Sequence, residues 1–317
     1  MKIGYFLSCE EWGPRELLEQ ARMAEEAGFE ALWISDHYHP WVEAQGNSPF
    51  VWSVIGGLSQ VTRNVKVVTA VTCPTMRIHP AVMAQAAATS AVMLPGRFEF
   101  GVGSGEALNE HIFGDPWPST DVRLEMLEEA IEVIRRLWEG GTQDHEGKHY
   151  VVENARLHTL PEEPPPILVS GFGPKATRLA ARVGDGYVNV SPNADLLDLF
   201  RSSGGGDKPA HGAFKVCYGE EEAECRETAH RLWPNEALPG ELGMVLPTPA
   251  HFEQAAELVT EEMVAQAIPC GPDSEPHREM IRQYADAGYD EVYVQQVGGN
   301  FETYFDLYEK EILPEFR

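Results

Sequence analysis

Apolar and polar residues alternate in two rhythms along this chain. Short runs rich in β-branched or aromatic residues recur at Lys2–Leu7, Ala31–Ser35, Lys66–Ala70, Phe98–Val102, Ile167–Ser170, Gly186–Val190, Ala213–Tyr218 and Glu291–Gln295, and each reads as a strand. Between them lie longer stretches whose apolar positions repeat at helical spacing. In Pro14–Ala27, Leu17, Leu18, Ala21, Ala24 and Ala27 form one stripe, with Pro14 at the start and Gly28 at the stop. Pro80–Leu94, Asp121–Glu139, Pro174–Val183, Ser274–Ala287 and Asn300–Ile312 follow the same pattern. This alternation predicts an α/β fold around a parallel sheet. Eight such units in 317 residues fit a (β/α)8 TIM barrel, typically ~250 residues before insertions, with a doubly wound sheet as the alternative. The chain reads as one barrel domain over residues 1–317, with loop-rich insertions near 104–120, 140–166 and 219–273. Within the second, Gly147–Val152 resembles a hairpin, and Ser202–Gly206 reads as a flexible loop.

Charge narrows the partners. Lysine and arginine number 24 against 50 acids, a formal net charge of −26. Nucleic acid and anionic membrane surfaces, both gripped through basic clusters, are therefore excluded as expected partners. Five cysteines without a C-x-x-C pair point to reduced thiols and a cytoplasmic setting. The opening residues Met1–Ser8 run straight into Glu10 and Glu11, which leaves no signal-peptide core, and no apolar stretch approaches the ~18 residues of a membrane span. Acid is densest in the third insertion, where Gly219–Glu262 holds eleven acids against Arg226 and Arg231.

In a parallel barrel the reactive side chains sit at the carboxyl ends of the strands. The second strand ends in Asp36-His37-Tyr38-His39, and His-x-His with an acid is also a metal-ligand pattern. No strand-end lysine or further histidine pair completes a binuclear site, so no metal is expected. The fourth strand runs into Gly101-x-Gly103-x-Gly105-Glu106. It is not a dinucleotide fingerprint, because Glu106 stands where the third glycine belongs. Its glycines allow close approach of a flat ligand, and Glu106 either faces the funnel or caps the Asn109 and Glu110 amides. After the fifth strand, Gly171-Phe172-Gly173-Pro174-Lys175 turns into a helix whose first amides, with Lys175 and Arg178, suit a phosphate.

Together these segments resemble the bacterial luciferase-like superfamily, in the coenzyme F420-dependent branch that includes the F420-dependent glucose-6-phosphate dehydrogenases. The resemblance runs nearly end to end. It is carried by Ser35-Asp36-His37, Pro40-Trp41, Thr69–Thr75, His79–Val82, Gly101–Glu110 and Ala181–Gly186, most specifically by the second- and fourth-strand motifs in combination. It implies a barrel holding F420 at its mouth, with Asp36, Ala70, Val71, Asn109, Gly171, Phe172 and Gly173 as cofactor contacts, next to the Lys175 already read as a phosphate group's partner, and a non-proline cis bond at Ala70–Val71. It also implies Glu10, His37, Trp41 and Glu106 as the catalytic group, and a homodimer.

The residue types suit that chemistry. An alcohol losing hydride must also lose a proton, and histidine is the side chain fitted to take it near neutrality. Glu106 suits a proton donor or electrostatic partner to the reduced cofactor, Trp41 a wall that excludes water, and Glu10 a brace for His37. The sugar-phosphate dehydrogenases of this branch clamp phosphate with lysines and an arginine, where the matching regions here offer Asn193, Gln254 and Gln266. A small-molecule substrate of the CH–OH type, not a phosphorylated sugar, is therefore expected, unless Lys208, Lys215, Arg278 or Arg282 substitutes. Alternatives are an FMN-dependent monooxygenase and a flavin-binding barrel without catalysis. F420 carries a phosphate and an acidic tail, so the net charge should oppose its approach. A basic island of Lys175, Arg178 and Arg182 is expected to receive it, with the Gly219–Glu262 acids lying elsewhere.

Overall fold

The computed structural model describes residues 1–316. Eight parallel strands close a barrel in chain order: β1 (Lys2–Leu7), β2 (Ala31–Ile34), β3 (Lys66–Thr69), β4 (Phe98–Val102), β5 (Ile167–Ser170), β6 (Gly186–Asn189), β7 (Ala210–Val216) and β8 (Glu291–Gln296). Inward-facing Ala31, Trp33, Val68, Leu168, Val188, Ala213 and Tyr293 fill the interior, with Trp33 stacked on Tyr293 at 4.4 Å. A parallel sheet buried on both faces explains why the strands read as continuous apolar runs. Around it pack α1 (Pro14–Ala27), α2 (Val51–Val61), α3 (Pro80–Met93), α4 (Thr120–Trp138), α5 (Pro174–Val183), α6 (Ala194–Phe200), α7 (Glu275–Ala287) and α8 (Phe301–Leu307).

Two elements depart from expectation. α2 was not anticipated, because Gly56 and Gly57 interrupt its pattern. Gly57 instead lets the helix close on α1, where a Cβ would stand 2.9 Å from Leu18 Cδ2. β7 starts at Ala210, earlier than its apolar run, because His211 and Gly212 pair with both neighbouring strands.

Structure also fills the insertions. Residues 107–110 form a short helix, and Gln143–Glu146 pairs with Val151–Ala155 in the anticipated hairpin. The third insertion is helical, with Glu222–Leu232, Leu242–Val245, Pro249–Ala255 and Glu261–Ala267. Its own core joins Cys217, Cys225, Leu232, Trp233, Val264 and Ile268, with Trp41 packed against it. Ser202–Gly206 is not an open loop: Arg201–Gly205 forms one wide helical turn. Among the described residues no helix is long and apolar enough to cross a membrane.

Candidate active site

The carboxyl ends of the strands open into a cavity of about 810 Å³. Glu10, His37, Trp41 and Glu106 all line it. His37 Nε2 lies 3.3 Å from Glu10 Oε1 and 3.7 Å from Glu106 Oε2. Its Nδ1 is 3.1 Å from the His39 carbonyl and 3.2 Å from Asn109 Nδ2. Asn109 is fixed in orientation, since its Oδ1 accepts from the Tyr38 and His39 amides and its Nδ2 donates to Glu106 at 3.0 Å. We assign the imidazole hydrogen to Nδ1, donating to the His39 carbonyl, which leaves the Nε2 lone pair facing the two carboxylates.

Each neighbour has a cause for its place. Glu10 is buried, and its Oε2 accepts from Ser8 Oγ at 2.8 Å and Ser35 Oγ at 2.7 Å. Glu106 caps no amide with its side chain; burial in the cavity pushes its carboxyl above the usual range, against the pull of His37. Trp41 stands 4.9 Å from the His37 ring and meets Phe252 of the third insertion edge-on at 5.1 Å. His39 turns away to the Leu108 carbonyl and His111.

The other predicted contacts form the adjoining half. Ala70 and Val71 line the cavity, and the peptide between them is cis. The Gly171 carbonyl accepts from Tyr187 Oη at 2.5 Å and Asn189 Nδ2 at 3.0 Å, which fixes the turn before α5. Phe172, Gly173 and Lys175 line the rim. Asp36 is occupied by protein: Arg77 Nη2 meets its Oδ1 at 2.8 Å and Thr72 Oγ1 its Oδ2 at 2.7 Å. Arg77 also faces Glu110, whose carboxyl burial pushes up to about 7. Neither Arg77 nor Glu110 was singled out from sequence. The available signal was that Arg77 is the one cation between Lys66 and Arg97.

Several expectations need correction. Asn193 caps α6, Gln266 is exposed on its helix, and Gln254 faces a shallow surface hollow with His251 and Glu257; none lines the cavity. The wall there is Val190, Lys215, Trp233, Gly243 and Met244. Of the four cations weighed as substitutes, only Lys215 reaches it. Lys208 binds the Ala181 carbonyl, and Arg278 and Arg282 pair with glutamates of α7 and of the C-terminal residues. The acids of the third insertion do not all lie elsewhere, because Glu236 and Glu241 line the cavity. Two cations of the expected island are already paired, Lys175 with Asp121 and Arg182 with Glu128, each at 2.6 Å.

The residues fit a flat, anion-tailed cofactor. Between Ala70–Val71 and Gly171–Gly173 the wall is made of small residues, with Phe172 the large side chain at the rim. A Cβ on Gly103 would fall 2.7 Å from both Val71 Cγ2 and Ser170 Oγ, so the barrel tolerates nothing larger there. The first turn of α5 supplies amides at the rim, with Lys175 and Arg178 beside them.

A closed β/α barrel with a slot of small residues beside a histidine set between two carboxylates defines a TIM-barrel enzyme built around a planar group. The family described as luciferase-like monooxygenase matches residues 1–291, and the chain belongs to that family. A relative from Microbacterium testaceum named F420-dependent glucose-6-phosphate dehydrogenase is 36% identical, over 100% of this chain and 98% of its own length. The protein of the same name from Beutenbergia cavernae is 33% identical over the same shares. Among solved structures, an F420-dependent secondary alcohol dehydrogenase in complex with an F420-acetone adduct matches with a TM-score of 0.91 at 31% identity, covering 100% of this chain and 99% of that one. The F420-dependent tetrahydromethanopterin reductase of Methanopyrus kandleri, at 20% identity and a TM-score of 0.79 over the whole of both chains, shares the fold.

Proposed function

We propose that this protein is an F420-dependent oxidoreductase that transfers a hydride between an alcohol-type substrate and the deazaflavin. The observation that carries the reading is His37 Nε2, open to the cavity between Glu10 and Glu106 beside that slot. When bound, F420 supplies a two-electron hydride acceptor with little reactivity toward oxygen. Ala70, Val71, Gly171, Phe172 and Gly173 would hold its ring system, Asp36 and Asn109 would shape the adjoining turns, and Lys175 with Arg178 would meet its phosphate and tail.

The protein's own part is proton handling and water exclusion. His37 Nε2 takes the hydroxyl proton as the C–H bond breaks, and Glu10 stabilises the imidazolium at 3.3 Å. Glu106 retains a proton at higher pH than an ordinary carboxyl, and so can give one up on the cofactor side. Trp41, backed by Phe252, and Met244 give the cavity an apolar wall, which strengthens each of these interactions. The cavity wall opposite, formed by Val190, Trp233, Gly243 and Met244 with Lys215 already paired to Glu236, favours an uncharged alcohol over a sugar phosphate.

Fluorescence titration of the purified protein with F420 and with FMN, followed by a panel of secondary alcohols read as loss of F420 absorbance, tests this. Saturable F420 binding and alcohol-dependent bleaching are expected. Tight FMN binding without F420 binding would establish the monooxygenase alternative, and F420 binding without turnover a non-catalytic barrel. We further propose that the enzyme works in the cytoplasm as a homodimer, an oligomeric state that sedimentation checks directly.

A further inference from the structure

One polar corner of the cavity is left over by this chemistry. Lys215 on β7 and Gln295 on β8 are register partners on adjoining strands, two residues beyond Ala213 and Tyr293, which fill the barrel interior. Strand alternation therefore aims both side chains inward, and both line the cavity. Gln295 is 1% exposed. Its Nε2 donates to Glu11 Oε1 at 2.9 Å, while its buried Oε1 accepts from no group among the described residues.

While Glu11 is ionised the amide cannot be reversed. Glu11 also accepts from Trp233 Nε1 at 2.6 Å and from the Gly298 amide at 2.8 Å, and both of those groups only donate. The ionised carboxylate therefore presents an acceptor to Gln295, which leaves the amide oxygen of this cavity-lining residue as the atom without a partner. A buried acceptor in that state calls for a donor from whatever occupies the cavity.

Its neighbour supplies the complement. Lys215 Nζ donates to Glu236 Oε1 at 2.6 Å and sits 4.2 Å above the Trp233 ring, which leaves a further N–H to give. Glu236 neutralises its charge, and Glu241 adds another carboxylate to the lining. An anion would meet the bare amide oxygen and two carboxylates. A carbonyl or ether could accept from Lys215 but could not satisfy Gln295. A hydroxyl does both.

We propose that Gln295 and Lys215 bind a second, neutral hydroxyl of the substrate, so that the alcohol oxidised beside His37 belongs to a diol or larger polyol. This rests on the alcohol-oxidising reading of the cavity.

The test uses wild-type protein loaded with F420. It compares neutral diols of increasing hydroxyl separation, each against the mono-alcohol of equal length. One separation should give a kcat/KM at least about tenfold above its mono-alcohol, carried mainly by KM, because a site built to bond a hydroxyl rejects the analogue lacking it. Gln295→Met and Lys215→Met should each bring that ratio close to one while F420 still binds by fluorescence. Lys215→Met is the control for folding, since it leaves the Glu11 contacts intact.

Equal use of diols and mono-alcohols, a diol preference that survives both substitutions, or better turnover of hydroxy acids or sugar phosphates overturns the subsite. If no alcohol of either kind reduces F420, the hydride-transfer reading itself fails, and the subsite with it.

Discussion

The two ends of the barrel use the same residue types to opposite effect. At the amino-terminal end, Lys66 Nζ reaches Glu291 at 2.7 Å and Glu99 at 3.0 Å, Lys2 approaches Glu291 at 3.5 Å, and Tyr293 Oη donates to Glu291 at 2.7 Å. Two cations face two carboxylates, and the charge closes. His211 beside them is fully buried, neither of its nitrogens has a hydrogen-bond partner among the described residues, and burial pushes its pKa down to about 4. At the carboxyl end, Asp36 and Glu110 share Arg77, Glu10 and Glu106 share the neutral-or-charged ring of His37, and Glu11 is held by the neutral donors of Trp233, Gln295 and Gly298. Charge closed by fixed partners makes a plug; charge left open beside a cavity makes a site that can move protons.

Removing the histidine at each end should break this comparison most sharply. His37→Ala is expected to lower turnover about 10²- to 10⁴-fold, the range for a general base, with F420 affinity and melting temperature little changed. His211→Leu should leave turnover intact and cost little stability near pH 7, where burial keeps the ring neutral and Lys66 rather than His211 holds Glu291. Steady-state F420 reduction and thermal melts on both variants decide it. Equal losses of turnover and cofactor affinity in His37→Ala would make that residue structural.

The next effect is on stability, and its sign differs between the ends. Glu291 is held down to about 2, chiefly by His211 and Lys66 against the cost of burial. Its contribution is present above the unfolded value near 4.5 and is lost as pH falls through 2; from that difference it is roughly 3 kcal/mol. Neutral His211 likewise contributes above about 6.5 and loses its contribution as pH falls toward 4. Burial raises Glu11 and Glu110 at the other end to about 7, so their contributions run the opposite way, largest below about 4.5 and lost as pH rises to 7. Urea unfolding from pH 3 to 8 should show Glu291→Gln less stable at neutral pH with a flattened acid limb. Glu110→Gln should remove part of the decline between pH 5 and 7. An unchanged acid limb in Glu291→Gln would show that the plug is not closed by that carboxylate.

Local pattern carried most of the barrel. β1, β4, β5, α1 and α5 begin and end where periodicity, proline starts and glycine stops put them. α2 escaped because a paired glycine reads as a break until α1 is known to press against it. The third insertion escaped because its helices are short and its acids hide the stripe of Cys225, Ala229 and Leu232. In the site, Glu10, His37, Glu106 and Asn109 were legible as strand-end residues that converge once the barrel closes. Arg77, Glu110, Trp233 and Gln295 were not, since each acts through a partner that no local spacing indicates. Gln295 meets Glu11 across 284 positions of chain.

The smallest expected effect concerns how a cofactor with an acidic tail reaches a protein of net charge −26. The island at the start of α5 is not simply basic, because Asp121 holds Lys175. Both side chains of that pair are 66% exposed, so the contact is weak and salt-screened, and Lys175 can exchange it for an incoming phosphate. Asp121 then acts as a counterweight, and the two residues should respond in opposite directions. Lys175→Glu should weaken F420 binding several-fold and Asp121→Asn should strengthen it by a smaller factor, each worth about 1 kcal/mol or less. Modest salt should speed association in Lys175→Glu more than in the wild type, because screening then relieves a larger repulsion. Fluorescence titrations at two ionic strengths separate these outcomes, and equal affinity in all three proteins would place the tail away from α5.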